Sequence, residues 1–117
     1  MQAQAVKKYI RSSPRKMRLV IDLIRGKKVV EALNILKHQP QLASKDVELL
    51  LKSALSNLQI KADDAGEVID ENTIRISKCY SNQGPTIKRI MPAPMGRAFR
   101  VRKRSNHLTI VVSTDKN

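Results

Sequence analysis

Residues 84–104 read GPTIKRIMPAPMGRAFRVRKR, a basic stretch around which the rest of the chain is organised. It carries Lys88, Arg89, Arg97, Arg100, Arg102, Lys103 and Arg104, with Lys78 just upstream, and no acid occurs from Asn72 to Thr114. It has too few large apolar residues to build a core and too many for a disordered basic tail. Pro92-Ala93-Pro94-Met95-Gly96 is a turn signal between two runs of strand-favouring residues. The spacing predicts a long basic β-hairpin that leaves the body of the protein and enters an anionic partner. From Gly84 to the tip is about ten residues, or roughly 30 Å at the rise of a strand.

The flanks anchor this ribbon. Ile74, Ile76 and Tyr80 alternate with Arg75, Ser77 and Cys79, while Leu108, Ile110 and Val112 alternate with Thr109, Val111 and Ser113. Both read as core strands. A turn centred near Pro94 sets Ile76 opposite Val112, Tyr80 opposite Leu108 and Lys88 opposite Arg100. Like charges facing each other across a strand pair are destabilising, and a lone two-stranded ribbon is marginal in water. The outer half is therefore expected to need its partner.

Upstream, residues 3–11 read as a short strand in which Val6, Lys8 and Ile10 alternate with Lys7 and Tyr9. Ser13 suits an N-cap and Pro14 the first helical position. The helix from Pro14 to about Arg25 carries the stripe Met17, Val20, Ile21 and Ile24, and Gly26 stops it. A second helix runs from about Val29 to Lys37, with Ala32, Leu33 and Leu36 inward. A third runs from about Gln41 to Ile60, with Ala43, Val47, Leu50, Leu51, Ala54, Leu55 and Leu58 in helical register. A polar loop is expected from Asp63 to Glu71. Arg15, Lys16 and Arg18 occupy first turns where the helix dipole prefers acids, which points to a partner.

The 117 residues suggest a single domain spanning 1–117, with 84–104 as its arm. The net charge is +13. Residues 1–28 hold nine Lys or Arg against Asp22 alone, and residues 72–117 hold ten against Asp115 alone. Residues 29–71, by contrast, hold four against eight acids. If the two basic ends meet in space they make one polyanion-binding face. Tyr9, Tyr80 and Phe99 are the only aromatics, too few for a strand-long stacking track. Cys79 has no internal disulfide partner, which suits a reducing compartment. No secretory signal or membrane-length apolar run is evident.

Catalytic and metal signals are weak. His38 and His107 are far apart and Cys79 stands alone, so no zinc spacing exists. The acids between Asp63 and Glu71 lack the alternation of a calcium loop. Gly26-Lys27-Lys28 lacks the remainder of a phosphate-binding loop. No cofactor, metal or enzymatic activity is expected. The basic clusters are the signal. Any one lysine is as often a solvated surface charge as a contact. The crowding of Arg97, Arg100, Arg102, Lys103 and Arg104 without acids is another matter, because the arginine fork suits phosphate. Lys7, Lys8, Arg11, Arg15, Lys16 and Arg18 repeat the pattern.

RSSPRKMRLV (11–20), DLIRGKKV (22–29), ALNIL (32–36), GPTIKRIMP (84–92), GRA (96–98) and SNHLTIVVS (105–113) stand in fixed order and spacing. Together they resemble the bacterial large-subunit ribosomal protein L-twenty-two family over essentially the whole chain. The resemblance implies an α+β fold, with three helices packed on a three-stranded antiparallel sheet and a long protruding β-hairpin. It implies a cytoplasmic ribosomal protein that binds large-subunit ribosomal RNA and supports subunit assembly. Arg25, Lys27, Lys28, Lys78, Lys88 and Arg89 join the basic residues above as expected RNA contacts. It further implies that the tip (Ile87, Met91, Pro92, Ala93, Pro94, Met95 and Gly96) lines the nascent-peptide tunnel beside ribosomal protein L-four. In that family, changes at the tip affect macrolides and stalling peptides. This chain departs from the family pattern at Ala93-Pro94-Met95, where basic residues are more usual. The competing reading is a free DNA-binding or architectural protein that wedges its ribbon into a groove, although about 30 Å of ribbon is more than one groove needs.

Overall fold

The computed structural model describes residues 1–92, 94–96 and 98–114. In chain order the elements are β1 (Gln2–Ile10), α1 (Pro14–Ile24), α2 (Val29–Lys37), α3 (Ala43–Ala65), a 3₁₀ turn (Glu71–Thr73), β2 (Ile74–Gln83), β3 (Ile87–Pro92), a second tight turn (Pro94–Gly96), β4 (Ala98–Lys103) and β5 (Asn106–Thr114). β5 is the centre of an antiparallel sheet ordered β1-β5-β2, and β3 pairs with β4 as a separate ribbon. The fold is α+β, with three helices covering one face of the sheet.

α1 begins and ends at local signals. Ser13 Oγ accepts from the backbone N–H of Lys16 at 3.4 Å, and Pro14 opens α1. Gly26 leaves it at φ 76°, a left-handed turn that favours glycine. Met17, Val20, Ile21 and Ile24 are fully buried, as the stripe predicts. Val29, Ala32 and Leu36 of α2 join them, and Leu33 is half-buried. The spine is α3, through Val47, Leu50, Leu51, Ala54 and Leu58.

α3 continues past Ile60 to Ala65, so Asp63 and Asp64 are helical and not in a loop. The reason is Ala62, buried four residues after Leu58. The stop is Gly66 at φ 71°, where the N–H groups of Gly66 and Glu67 donate to Asp63 O and Ala62 O.

The strands differ from simple alternation in two places. In β1 the register breaks between Lys7 and Ile10, where Tyr9 has φ 61°. Ala5 and Ile10 consequently face the core, whereas Val6 is exposed. In β2 the register shifts between Ile76 and Lys78. Ile76 pairs with Val112 as expected, but Tyr80 then lies opposite Thr109 and not Leu108. Past the bulge Cys79 and Ser81 point inward and Tyr80 outward. One extra residue in a strand reverses the facing of all that follow.

The ribbon projects from this body. Lys88 pairs with Arg102 and not with the expected Arg100, Ile90 with Arg100 and Ile87 with Lys103; the bulge in β2 accounts for one residue of this offset and the ribbon root, between Gln83↔Asn106 and Ile87↔Lys103, for the other. The facing like charges remain, with a different arginine. Every residue of β3 is exposed. The molecule extends 67 Å in its longest dimension, and its radius of gyration is 17.7 Å, against about 13 Å for a compact chain of this length.

Candidate nucleic-acid interface

The two basic ends of the chain meet at the base of the ribbon. A groove of about 850 Å³ is lined by Tyr9, Arg11, Ser12, Ser13 and Lys16 from the N-terminal side. Pro85, Ile87, Arg89, Arg102, Lys103, Arg104 and Ser105 line it from the ribbon. Six basic side chains thus converge on one concavity. Among the described residues none of the six has an acidic partner, since the ion pairs there are Lys7–Asp46, Arg25–Asp22 and Lys52–Glu48. Clustered unpaired cations in a concave wall concentrate positive potential, and the arginine forks match phosphate oxygens.

Two polar joints hold the two sides together, and a third closes the root of the ribbon. Asn106, fully buried at the start of β5, donates through Nδ2 to Ser12 O at 2.9 Å and Ser12 Oγ at 2.8 Å. Its Oδ1 accepts from buried Ser81 Oγ at 3.2 Å. His107 Nδ1 accepts the backbone N–H of Tyr9 at 3.0 Å. At the ribbon root, Gly84 N–H donates to Ser105 O at 2.9 Å, and Ser105 Oγ donates to Pro85 O at 2.7 Å. Gly84 leaves room for this bond, because a Cβ would lie 2.6 Å from Ser105 Oγ and 3.2 Å from His107 Cε1, so that the hydroxyl would have to shift. In the sequence Asn106 and His107 are only polar residues where the basic arm meets the core strand, and Ser12 belongs to the Ser-Ser-Pro stretch before α1. A buried amide beside a basic arm was the available signal.

The other expected contacts divide into groups. Lys8, Arg15, Lys27, Lys28, Lys88 and Arg100 are exposed. Lys7 is committed to Asp46 at 3.0 Å. Arg18 donates to Ser81 O at 3.1 Å, and Arg25 to Cys79 O at 3.0 Å while also pairing with Asp22. Arg18 and Arg25 therefore tie α1 to β2 with at least part of each guanidinium. Lys78 lines a separate depression of about 450 Å³ with Gln2, Gln4, Lys61 and Tyr80. Ile87, expected with the tip, opens β3 and lines the groove. Met91 and Met95 are exposed, and Met95 has φ 67°. Arg97 and Ala93 lie outside the described residues.

Cys79 is buried, and its thiol donates to Ile21 O at 3.6 Å. Burial pushes the thiol up, against a smaller lowering by nearby Arg25. Among the described residues no group of three or more His, Cys, Asp or Glu is placed to hold a metal. No helix there is long and apolar enough to cross a membrane.

A small α+β body whose two basic ends form a cationic groove under a solvent-exposed ribbon defines a structural nucleic-acid-binding protein. The comparisons make the class specific. The model of the family described as Ribosomal protein L22p/L17e matches residues 5–113, and the chain belongs to that family, whose members are structural and not enzymes. Large ribosomal subunit protein uL22 of Chlorobium phaeobacteroides is 51% identical over 114 residues, covering 97% of this chain and 96% of the relative. The protein of the same name from Bifidobacterium animalis subsp. lactis is 46% identical with the same coverage.

Proposed function

We propose that the chain is a structural constituent of the cytoplasmic large ribosomal subunit that binds large-subunit ribosomal RNA through the groove and the ribbon arms. The observation that carries this is the convergence of Arg11, Lys16, Arg89, Arg102, Lys103 and Arg104 on one groove, together with family membership over nearly the whole chain. Contact is made mainly to phosphate and shape, since the deep groove of an RNA duplex hides its base edges. Lys88 and Arg100 extend the contact along the ribbon. Residues 1–117 act as one unit, with 84–104 as its arm.

The tip from Met91 to Gly96 has no charged residue, unlike the arms that lead to it. A surface facing phosphate would carry charge, so the tip faces something else. In this reading that is the wall of the nascent-peptide tunnel, next to ribosomal protein L-four and the nascent peptide, as the resemblance implies. Arg97 joins the RNA contacts just past the turn.

Cosedimentation with isolated large subunits after a high-salt wash tests the reading. Retention on the subunit is expected. Release from the subunit with recovery mainly on DNA would favour the free architectural protein and overturn it.

A further inference from the structure

Tyr9 is the strained residue of the groove. Its φ of 61° is a left-handed conformation that a bulky L-residue keeps only where its surroundings impose it. Here they do. Its N–H is held by His107 Nδ1 at 3.0 Å, and the two rings meet edge-on, 5.0 Å between centroids at 87°. The same bulge turns Ile10 into the core, but the Tyr9 ring is not packed there itself, because it is 65% exposed. Glycine or asparagine would satisfy the same backbone more cheaply. The fold therefore holds an open aromatic ring in a fixed pose over a cationic groove.

We infer that Tyr9 is a stacking platform for one unpaired RNA base, whose flanking phosphates lie against Arg11, Lys16, Arg89, Arg102 and Arg104. This rests on the ribosomal-RNA reading and narrows it. The groove takes a single-stranded or bulged nucleotide and not a continuous duplex, because only an unstacked base offers its π-face to a side chain. The groove's volume of about 850 Å³ falls in the roughly 300–1,000 Å³ of sites that enclose small molecules. Three aromatics are too few for a track of stacked bases, but one platform needs only one.

The test measures filter binding of a large-subunit ribosomal RNA transcript by the full chain with Tyr9→Gly or Tyr9→Phe. Glycine suits the backbone and removes the ring, while phenylalanine keeps the π-face. Tyr9→Phe is expected to bind as wild type. Tyr9→Gly is expected to bind roughly five- to a hundredfold more weakly, with an unchanged salt dependence because no charge is lost. Equal binding by Tyr9→Gly and wild type, or an equal loss in both variants, overturns the stacking role and leaves the ribosomal-RNA reading intact. A lower melting temperature for Tyr9→Gly with unchanged affinity of the folded protein overturns it too. Wild-type protein that fails to bind the transcript in a salt-dependent way overturns both. Ultraviolet crosslinking of the wild-type complex needs no variant. It is expected to join Tyr9 to a nucleotide that is unpaired in the RNA; a crosslink from Tyr9 into a duplex, or crosslinks confined to other residues, overturns the inference.

Discussion

Replacing Asn106 with alanine removes the joint between the ribbon base and the loop before α1. Three hydrogen bonds go, two to Ser12 and one from Ser81. Each contributes about 1 kcal/mol net, and a buried polar group left unpaired costs about 1–3 kcal/mol. Ser12 is half-buried, so water replaces part of what its atoms lose, but Ser81 is 3% exposed and its hydroxyl is stranded. The expected loss is about 2–3 kcal/mol, a large share of the roughly 6–17 kcal/mol typical of a chain this long. With an unfolding entropy of about 2.1 cal/mol/K per residue, that lowers the melting temperature by about 10 °C. Urea unfolding followed by circular dichroism measures it, and the denaturant slope should not change. In a double-mutant cycle Asn106→Ala and Ser81→Ala should couple by more than 0.5 kcal/mol, about the least expected of directly bonded groups. A loss below about 1 kcal/mol would refute the view that this buried amide fastens the two sides of the groove, and strictly additive variants would refute its bond to Ser81.

Gly84→Ala should displace Ser105 Oγ from Pro85 O and cost about 1 kcal/mol; an unchanged melting temperature would show that the ribbon root yields freely. Native Cys79 should react with a thiol reagent only as fast as the chain opens, and immediate labelling would contradict its burial. Because the folded state holds the Cys79 proton more tightly than the unfolded chain does, stability should fall as pH rises through the ordinary thiol range near about 8.5. A Cys79→Ala variant that keeps the same alkaline loss would assign it to another group. In RNA-free protein the amides of β3 and β4 should exchange far faster than those of α3 and β5, since β3 is exposed along its whole length. Strong protection in the ribbon would count against a partner-dependent arm.

Helix positions were legible because each signal was local. Ser13, Pro14 and Gly26 bracket α1 as they would in isolation. The end of α3 was missed because Asp63 and Asp64 weigh toward a loop, whereas buried Ala62 and the left-handed Gly66 carry the helix on to Ala65. Strand facing was legible only up to a bulge. Nothing in KKY at 7–9 or in ISK at 76–78 announces an extra residue, yet each shift changes which residues share a face: the first separates exposed Val6 from buried Ile10, and the second turns Cys79 inward in place of Tyr80. The site's charge was legible, since a long acid-free basic run has few other uses. Its geometry was not, because the groove depends on contacts across the chain. Tyr9 with His107 and Ser12 with Asn106 are long-range pairs that no local pattern encodes. The same holds for Lys7, Arg18 and Arg25, which are bound partly or wholly within the protein.

If the two basic ends form one RNA-binding face, both ends contribute to the salt dependence of binding to large-subunit ribosomal RNA, measured for wild type, Lys16→Gln, Arg102→Gln and the double variant. Each lost phosphate contact should make the slope of log K against log salt shallower by about 0.7–0.9, and the double variant by about twice that. A slope that responds to Arg102 and is indifferent to Lys16 would contradict the shared face and leave the ribbon to bind alone.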